Sequence, residues 1–196
     1  MDNSLDKEIH FDSNGICNYC HEYEARAKTD LFPGDVGEKL LSKICLKVKK
    51  DGKGRKYDCI IGLSGGIDSA MVAYVVKKKL GLRPLAVHLD NGWNLELSVS
   101  NIENIVKKLD IDLVTVILDW NMFKDLHLSF LKASVMNSEI PTDHAINAVL
   151  FSHASKHGIK YIFSGSNIAT EGLLPESWCG YDNKDWKFIK GIHKKF

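Results

Sequence analysis

A short polar loop between an apolar strand and an apolar helix constrains the fold of this chain more than any other feature of its sequence. Residues 57–63 are mostly apolar and include Ile60 and Ile61, which predicts a buried strand. Residues 70–79 predict a buried helix, because an apolar run ends in three lysines and is followed by Gly81. A strand, a glycine turn and a helix direct a helix N-terminus at the ligand, and the unpaired amides there favour an anion.

The loop itself has the sequence Ser64-Gly65-Gly66-Ile67-Asp68-Ser69. Its two glycines let the backbone approach an anion closely, its serines add hydroxyl groups, and Asp68 is a suitable magnesium ligand. The loop lacks the lysine of a Walker loop and the G-x-G-x-x-G pattern of dinucleotide-binding loops. However, Gly62-Leu63-Ser64-Gly65-Gly66 fits the G-x-S-x-G nucleophile elbow of serine hydrolases. A serine hydrolase and a purely structural glycine turn therefore remain alternatives to an anion site.

The Ser-Gly-Gly-Ile-Asp-Ser loop resembles the S-G-G-x-D-S loop of the PP-loop ATP pyrophosphatases. The resemblance implies an enzyme that binds the β,γ-pyrophosphate of ATP and transfers AMP to a substrate oxygen. That superfamily includes amidating synthetases and tRNA-modifying enzymes.

Composition agrees with an ordinary soluble protein with one main domain. The chain has 196 residues, of which 44% are hydrophobic and 26% are charged, and its net charge is +1. This balance predicts no large basic surface for nucleic acid, and no apolar run is long enough to span a membrane. Five cysteines, an odd number and mostly far apart, favour the reducing cytoplasm over a disulfide framework.

Residues 1–35 predict a polar, loop-rich segment that precedes the ATP-binding domain over residues 36–196. Cys17 and Cys20 form a C-x-x-C pair with His21 beside it. A structural zinc ion needs four ligands, commonly from two such pairs, and this segment holds one pair. Two free thiols and half of a zinc (Zn²⁺) site therefore both remain open.

Strands and helices alternate after the loop, which predicts an α/β fold with a doubly wound parallel sheet. Further strands are expected at residues 83–89, 112–118 and 159–163, and helices at 36–49, 94–109, 123–131 and 143–157. Asn94 and Asp143 are the expected caps of two of these helices, and a break is expected at Ile140-Pro141. Polar clusters at 64–69, 90–94 and 164–171 each follow a strand, so they should converge on one site.

Other residues that carry chemistry have simpler interpretations. His153 and His157 are four residues apart on a helix, yet the sequence shows no H-E-x-x-H motif or third ligand, so exposed histidines are favoured over a metal site. His88, in a buried strand, is expected to be packed or hydrogen-bonded. Cys45 and Cys59 are expected in the core.

Several stretches together resemble the N-acetyl sugar amidotransferases of surface-polysaccharide synthesis, which belong to the PP-loop group. These enzymes convert the acetamido group of a sugar into an acetamidino group. The resemblance covers nearly the whole chain, and its matching stretches are 11–20, 57–60, 64–69, 85–94, 140–146 and 164–171. It implies an adenine nucleotide alpha hydrolase-like fold, a cytoplasmic enzyme of lipopolysaccharide or O-antigen synthesis, and ATP with Mg²⁺.

The resemblance also implies a role for each site residue. The pyrophosphate would be held by Ser64, Gly65, Gly66, Ile67, Asp68 and Ser69, with Mg²⁺ on Asp68, and Gly165 would also bind the nucleotide. The backbone at Val87 and Leu89 would line the adenine pocket. The α-phosphate and sugar would face Asn91, Trp93, Asn167, Thr170 and Glu171, so the expected catalytic residues are Asp68, Asn91, Asn167 and Glu171.

Two departures from the family pattern bear on activity. The family carries an earlier C-x-x-C pair and runs to roughly twice this length, so the chain is expected to lack the C-terminal half. The sequence shows no glutaminase segment, and ammonia is therefore expected from a partner that releases it. A PP-loop tRNA-modifying enzyme and a non-catalytic ATP-binding fragment remain as alternatives.

Overall fold

The computed structural model describes residues 2–166, Glu171 and 182–196. The described elements follow the predicted alternation of strands and helices after the first two helices. In chain order they are α1 (Asn18–Asp30), α2 (Gly34–Asp51), β1 (Cys59–Gly62), α3 (Ile67–Tyr74), β2 (Pro84–Asp90), α4 (Glu96–Leu109), β3 (Asp112–Ile117), α5 (Trp120–Lys132), α6 (Ile140–Lys156), β4 (Ile162–Phe163) and α7 (Trp186–Lys195). A π-helical segment, Val75–Lys79, continues α3.

The chain forms two compact units. The first consists of Met1–Leu41 and Ser166–Cys179, and the second of Ser42–Gly165 and Gly180–Phe196. In the first unit, a segment predicted to be mainly loop contains the 13-residue helix α1. The second unit contains the sheet and most of the predicted site residues.

The sheet of the second unit is parallel, with strand order β3-β2-β1-β4. Gly62 pairs with Val87 between β1 and β2, and Ile61 pairs with Phe163 between β1 and β4. The chain passes from β1 through β2 to β3 on one side and returns to place β4 on the other side of β1. The α/β fold with a parallel sheet and flanking helices is therefore confirmed, and the topological switch lies between β1 and β4, where ligands bind in such sheets.

Two apolar clusters hold α5, α6 and α7 in place. Ile60, Leu85 and Val87 of the strands pack against Ala154 of α6 and the nearby Ile159. A second cluster joins α5, α6 and α7 through the buried side chains of Phe130, Ile140 and Ile189. Cys45 and Cys59 are also buried, as predicted.

A buried carboxylate closes the amino end of the sheet. The side chain of Asp58 is 4% exposed and accepts hydrogen bonds from the Arg83 guanidinium, with Nη2 2.6 Å from Oδ1 and Nε 3.1 Å from Oδ2. The same guanidinium donates to the carbonyl oxygens of Arg55, at 2.7 Å, and Gly52, at 2.9 Å. Burial acts to raise the pKa of Asp58, but the hydrogen bonds from Arg83 outweigh it and lower that pKa.

Three local predictions about helices are wrong. Helix α6 begins at Ile140, with Glu139 rather than Asp143 as its N-cap, because Pro141 in the first turn removes an amide that has no helical partner anyway. Helix α4 begins after Leu95, so Asn94 is not its cap. Helix α3 is only partly buried, since Ile67, Met71 and Tyr74 are exposed.

Candidate functional site

The loop after β1 presents the uncapped start of α3. Gly66 is the N-cap of this helix, with φ −79° and ψ 165°, and among the described residues no side chain caps the first turn. The first amides of a helix have no partner within the helix, so those of Ile67, Asp68 and Ser69 are available to a ligand. Ile67 and Asp68 are both exposed. This arrangement can bind a polyanion and bring a carboxylate beside it.

The two loop serines brace this turn. Ser69 Oγ donates to the Gly66 carbonyl at 3.0 Å and accepts from the Ser64 amide at 3.2 Å. The two hydroxyl oxygens are 3.2 Å apart. Because Ser69 gives its one proton to the Gly66 carbonyl, the Ser64 hydroxyl is the donor in the contact between the two serines. Ser64 is an exposed residue.

Gly65 is required by the backbone and by its neighbours. Its φ is +78°, and a Cβ at this position would overlap the Ser98 carbonyl of α4. Its own carbonyl accepts from Asn101 Nδ2 at 3.1 Å, which ties the loop to α4. At the end of β4, a Cβ on Gly165 would lie 3.2 Å from the Asp68 carbonyl oxygen. The β1 and β4 ends therefore meet where the sheet topology predicts.

A cavity of about 220 Å³ lies beside the loop, at the carboxyl ends of β1 and β2. Its walls come from both strands, the segment after β2, and helix α6. The lining residues are Gly62, Leu63, Ser64, Val87, His88, Leu89, Asn91, Asn94, Thr142, Ile146, Val149 and Leu150. Pockets for whole ligands commonly measure about 300–1,000 Å³, so this apolar cavity suits one part of a nucleotide, such as its base.

The polar segment after β2 is only partly directed at the cavity. Asn91 lines the cavity, but its Oδ1 accepts from the Trp93 amide at 3.1 Å, which leaves its Nδ2 for a ligand. The Trp93 ring packs edge-on against Trp120, with centroids 5.3 Å apart, and is not among the cavity-lining residues. Asn167 and Thr170 lie outside the described residues, and Glu171 is exposed and belongs to the first unit.

Three residues of the site were not individually predicted as site residues from the sequence. Asn94 lines the cavity rather than capping a helix, Asn101 holds Gly65, and Thr142 contributes to the α6 wall. Thr142 and Asn94 both lie within stretches that resemble the amidotransferases, so a signal was present for them. Asn101 carries no such signal, because only the packing of α4 against the loop brings it there.

The thiol and histidine pairs do not assemble a metal site in the described part of the chain. Cys17 Sγ and Cys20 Sγ are 3.4 Å apart, and His21 is paired with Asp12 at 2.9 Å. Across residues 2–166, 171 and 182–196, no group of three or more His, Cys, Asp or Glu side chains could hold a metal ion. The rings of His153 and His157 stack on each other, with centroids 6.2 Å apart. Within the described residues, the donors therefore do not fit a zinc ion.

In the described part of the chain, Ser64 lacks the general base that a hydrolase nucleophile needs. Within the described residues, its hydroxyl contacts only Ser69 Oγ and the Gly66 amide, the latter at 3.4 Å. The histidine of this cavity, His88, has both ring nitrogens engaged by other groups. The geometry therefore disfavours the nucleophile-elbow alternative.

A parallel strand, the S-G-G-x-D-S loop and an uncapped helix at the switch point define a domain of the PP-loop ATP pyrophosphatase superfamily. Residues 38–171 match the NAD synthase family. The chain therefore belongs to the NAD synthase family.

Individual similar proteins include an NAD⁺ synthetase and a GMP synthase. An uncharacterized protein of Methanocaldococcus jannaschii is 28% identical over 135 residues, which are 67% of this chain and 45% of the relative. The NH₃-dependent NAD⁺ synthetase of Mycoplasmopsis pulmonis is 32% identical over 82 residues, 42% of this chain and 31% of that enzyme. A glutamine-hydrolysing GMP synthase of Pyrobaculum aerophilum is 32% identical over 40% of this chain and 15% of its own length. The chain thus spans less than half the length of these curated relatives.

A solved structure shows the same fold. The glutamine-dependent NAD⁺ synthetase of Acinetobacter baumannii, in complex with ADP, superposes with a TM-score of 0.53 at 16% identity. The match covers 95% of this chain and 36% of that protein. Among the helices that the structure describes, none is both long and apolar enough to cross a membrane.

Proposed function

We propose that this chain carries the ATP-binding part of an amidotransferase that converts the acetamido group of a nucleotide-linked sugar into an acetamidino group. The observation that carries the ATP part is the uncapped start of α3 behind Gly65 and Gly66, beside a cavity that suits a base. The sugar part is supported by the resemblance of residues 90–94, 140–146 and 164–171 to the amidotransferases of lipopolysaccharide synthesis. Membership of the NAD synthase family supports the transfer of AMP to an oxygen acceptor as the general reaction class.

The chemistry requires little covalent help from the protein. The acetamido oxygen attacks the α-phosphorus of ATP, and pyrophosphate leaves. Ammonia then adds to the activated carbon, AMP departs with the former carbonyl oxygen, and an amidine remains. An amide oxygen is a poor leaving group, and its conversion into AMP removes this obstacle. Positioning and stabilisation of charge are the main contributions of the chain.

The contributions to ATP binding are assigned to residues of the second unit. The amides of Ile67, Asp68 and Ser69 and the Ser64 hydroxyl would hold the pyrophosphate, and Gly165 would let the nucleotide pass close to the end of β4. The exposed Asp68 carboxylate fits a Mg²⁺ ion, which would neutralise phosphate charge. The backbone of Val87 and Leu89 would contact adenine, and Asn91 Nδ2 would face the α-phosphate. Roles for Asn167 and Glu171 near the sugar rest on the resemblance alone.

Ammonia would come from a partner that hydrolyses glutamine. Two similar proteins are named for this coupling, the glutamine-hydrolysing GMP synthase and the glutamine-dependent NAD⁺ synthetase. A separate glutaminase, or ammonium at high concentration, would therefore supply the nitrogen for this chain.

The test measures AMP formed from ATP and Mg²⁺ with ammonium and a panel of acceptors. The panel contains UDP- and CMP-linked acetamido sugars. It also contains the carboxylic-acid precursor of NAD⁺, which tests carboxylate amidation as the alternative reaction. We expect AMP and a product one mass unit lighter only with an acetamido sugar. AMP formed only with the carboxylic acid would replace the sugar assignment by carboxylate amidation. Failure to bind ATP at all would overturn the proposed function.

A further inference from the structure

His88 is the one histidine of the cavity wall, and both of its ring nitrogens are engaged. The side chain belongs to a residue that is 7% exposed. Its Nδ1 lies 2.9 Å from the Leu63 carbonyl, and its Nε2 lies 3.1 Å from Asn94 Nδ2. A carbonyl only accepts and an amide NH₂ only donates, so the ring proton is on Nδ1 and Nε2 is the acceptor. His88 therefore joins the residue before the phosphate loop to the segment after β2.

The contact with Leu63 changes the hydrogen-bond pattern of the sheet. The Leu63 amide donates to the Val87 carbonyl at 3.0 Å, which is the last bond between β1 and β2 in the described residues. In a regular parallel ladder, the Leu63 carbonyl would next accept from the Leu89 amide. The Leu63 carbonyl instead accepts a hydrogen bond from the His88 ring.

Leu89 consequently has a backbone edge that faces the cavity. Backbone groups alternate in direction along a strand, so the amide and carbonyl of Leu89 point the same way as those of Val87, towards β1. In the opposite direction, the carbonyl of the next residue, Asp90, accepts from the Leu118 amide at 2.9 Å. Strand β1 ends at Gly62, and Leu89 lines the cavity beyond that point. A donor and an acceptor are thus presented side by side.

We propose that His88 is a positioning residue for base recognition, because it holds the Leu63 carbonyl and so leaves the Leu89 amide and carbonyl for the adenine edge. The inference rests on the proposed ATP site. Adenine offers a ring-nitrogen acceptor beside an amino donor, which matches a backbone amide and carbonyl. Guanine offers a carbonyl acceptor beside a ring N–H donor, in the reverse order, so the same edge disfavours GTP. The second contact orients the Asn94 side chain, so that its Oδ1 is left for the nucleotide.

Three substitutions separate the two contacts of His88. In His88→Asn the side-chain NH₂ occupies the place of Nδ1, so the bond to Leu63 is kept and that to Asn94 is lost. In His88→Gln the longer side chain reaches Asn94 and gives up Leu63. His88→Leu removes both contacts at similar volume. His157→Gln is the matched control, since His157 lies at the far end of α6, where its ring packs against Tyr57.

The experiment measures Mg²⁺-dependent affinities for ATP, GTP and inorganic pyrophosphate by calorimetry on the full chain. We expect His88→Leu and His88→Gln to lose about tenfold in ATP affinity, as for one or two lost hydrogen bonds, and to lose the preference for ATP over GTP. His88→Asn should stay within about threefold of the wild-type ATP affinity, because the Leu63 contact is the one that frees Leu89. Pyrophosphate affinity should stay unchanged in every variant, because His88 contacts Leu63 and Asn94 and not the loop groups assigned to pyrophosphate. If the leucine variant does not fold, His88→Gln provides the comparison.

Other outcomes separate this inference from the proposed function. Equal losses for ATP and pyrophosphate, or an ATP preference retained in His88→Gln, would overturn the positioning role while the ATP site stands. Wild-type protein that binds neither ATP nor pyrophosphate would overturn the proposed function, and the role of His88 with it.

Discussion

A carboxylate at the amino end of the parallel sheet is buried and hydrogen-bonded, whereas one at its carboxyl end is exposed. At the amino end, Asp58 is buried and its carboxylate accepts hydrogen bonds from Arg83, which also donates to two backbone carbonyls. At the carboxyl end, no side chain of the described residues caps the first turn of α3, and Asp68 is exposed. Stability is therefore concentrated at one end of the sheet, and the groups available to a ligand are at the other.

Two glycines illustrate the same contrast. A Cβ on Gly52 would overlap the Asp58 carboxylate, so this glycine allows a buried ion pair to close against the end of α2. A Cβ on Gly65 would overlap the Ser98 carbonyl, and this glycine also has a φ of +78°. The first glycine serves packing, whereas the second sets the shape of a loop that presents amides to an anion.

The largest expected effect is on stability, at the amino end. Asp58→Asn removes the charge that the Arg83 side chain contacts and should lower the free energy of unfolding by about 2–3 kcal/mol. Urea unfolding at pH 7 measures this. ATP affinity of the folded variant should match the wild type, and a large loss of affinity would contradict the separation of the two ends.

Acid should reduce the difference in unfolding free energy between the wild type and Asp58→Asn. The Asp58 pKa is lowered from its ordinary value of 3.8 in the folded chain, so the carboxylate stabilises the fold above pH 3.8. This contribution is lost as the pH falls through the lowered, folded value. The gap in unfolding free energy between the wild type and Asp58→Asn should therefore narrow below about pH 3.8, and a gap that stays constant in acid would exclude the ionised Asp58 as its source.

The next effect is on binding, at the carboxyl end. Gly65→Ala forces a left-handed residue and a clash with Ser98, so ATP affinity should fall by at least about tenfold. Gly191→Ala is the control, because a Cβ there meets nothing within 4 Å. That variant should keep the wild-type affinity. Wild-type affinity in Gly65→Ala would show that the loop conformation described here is not the one that binds ATP.

A smaller loss is expected for the proposed magnesium ligand. Asp68→Asn should lower ATP affinity about tenfold in the presence of Mg²⁺ and much less in EDTA, because the carboxylate is assigned to the cation. Glu103→Gln, on the exposed part of α4, is a control of the same type. Thermal unfolding without ligand should not change, and an equal loss with and without Mg²⁺ would argue against this role.

The smallest effect is expected from an exposed ion pair near the amino end. Lys56 Nζ is 2.8 Å from Asp112 Oδ2, but both side chains are more than half exposed. Solvent screens such pairs, so Lys56→Ala should cost less than about 1 kcal/mol in urea unfolding. A cost as large as that of Asp58→Asn would mean that burial is not what makes the Asp58 contact strong.

The sequence by itself determined the parts of this protein that depend on neighbouring residues. Apolar runs and turn residues predicted the strands, the parallel α/β arrangement and the helix N-terminus behind Ser64–Ser69, because each follows from local periodicity and backbone freedom. The loop motif also indicated the superfamily, and the match to the NAD synthase family agrees with it.

The tertiary structure alone decided what each polar side chain contacts. Local sequence rules predict Asn94 as a helix cap, yet its side chain contacts His88. The pairing of β1 with β2 places Leu63 next to His88, and the His88 ring bridges Leu63 and Asn94. The partners Asp58 and Arg83 are likewise joined only by the register of β1 and β2. Hydrogen bonds act over about 3 Å, so they are selected by which distant segments the fold brings together, and periodicity along the chain carries no such information.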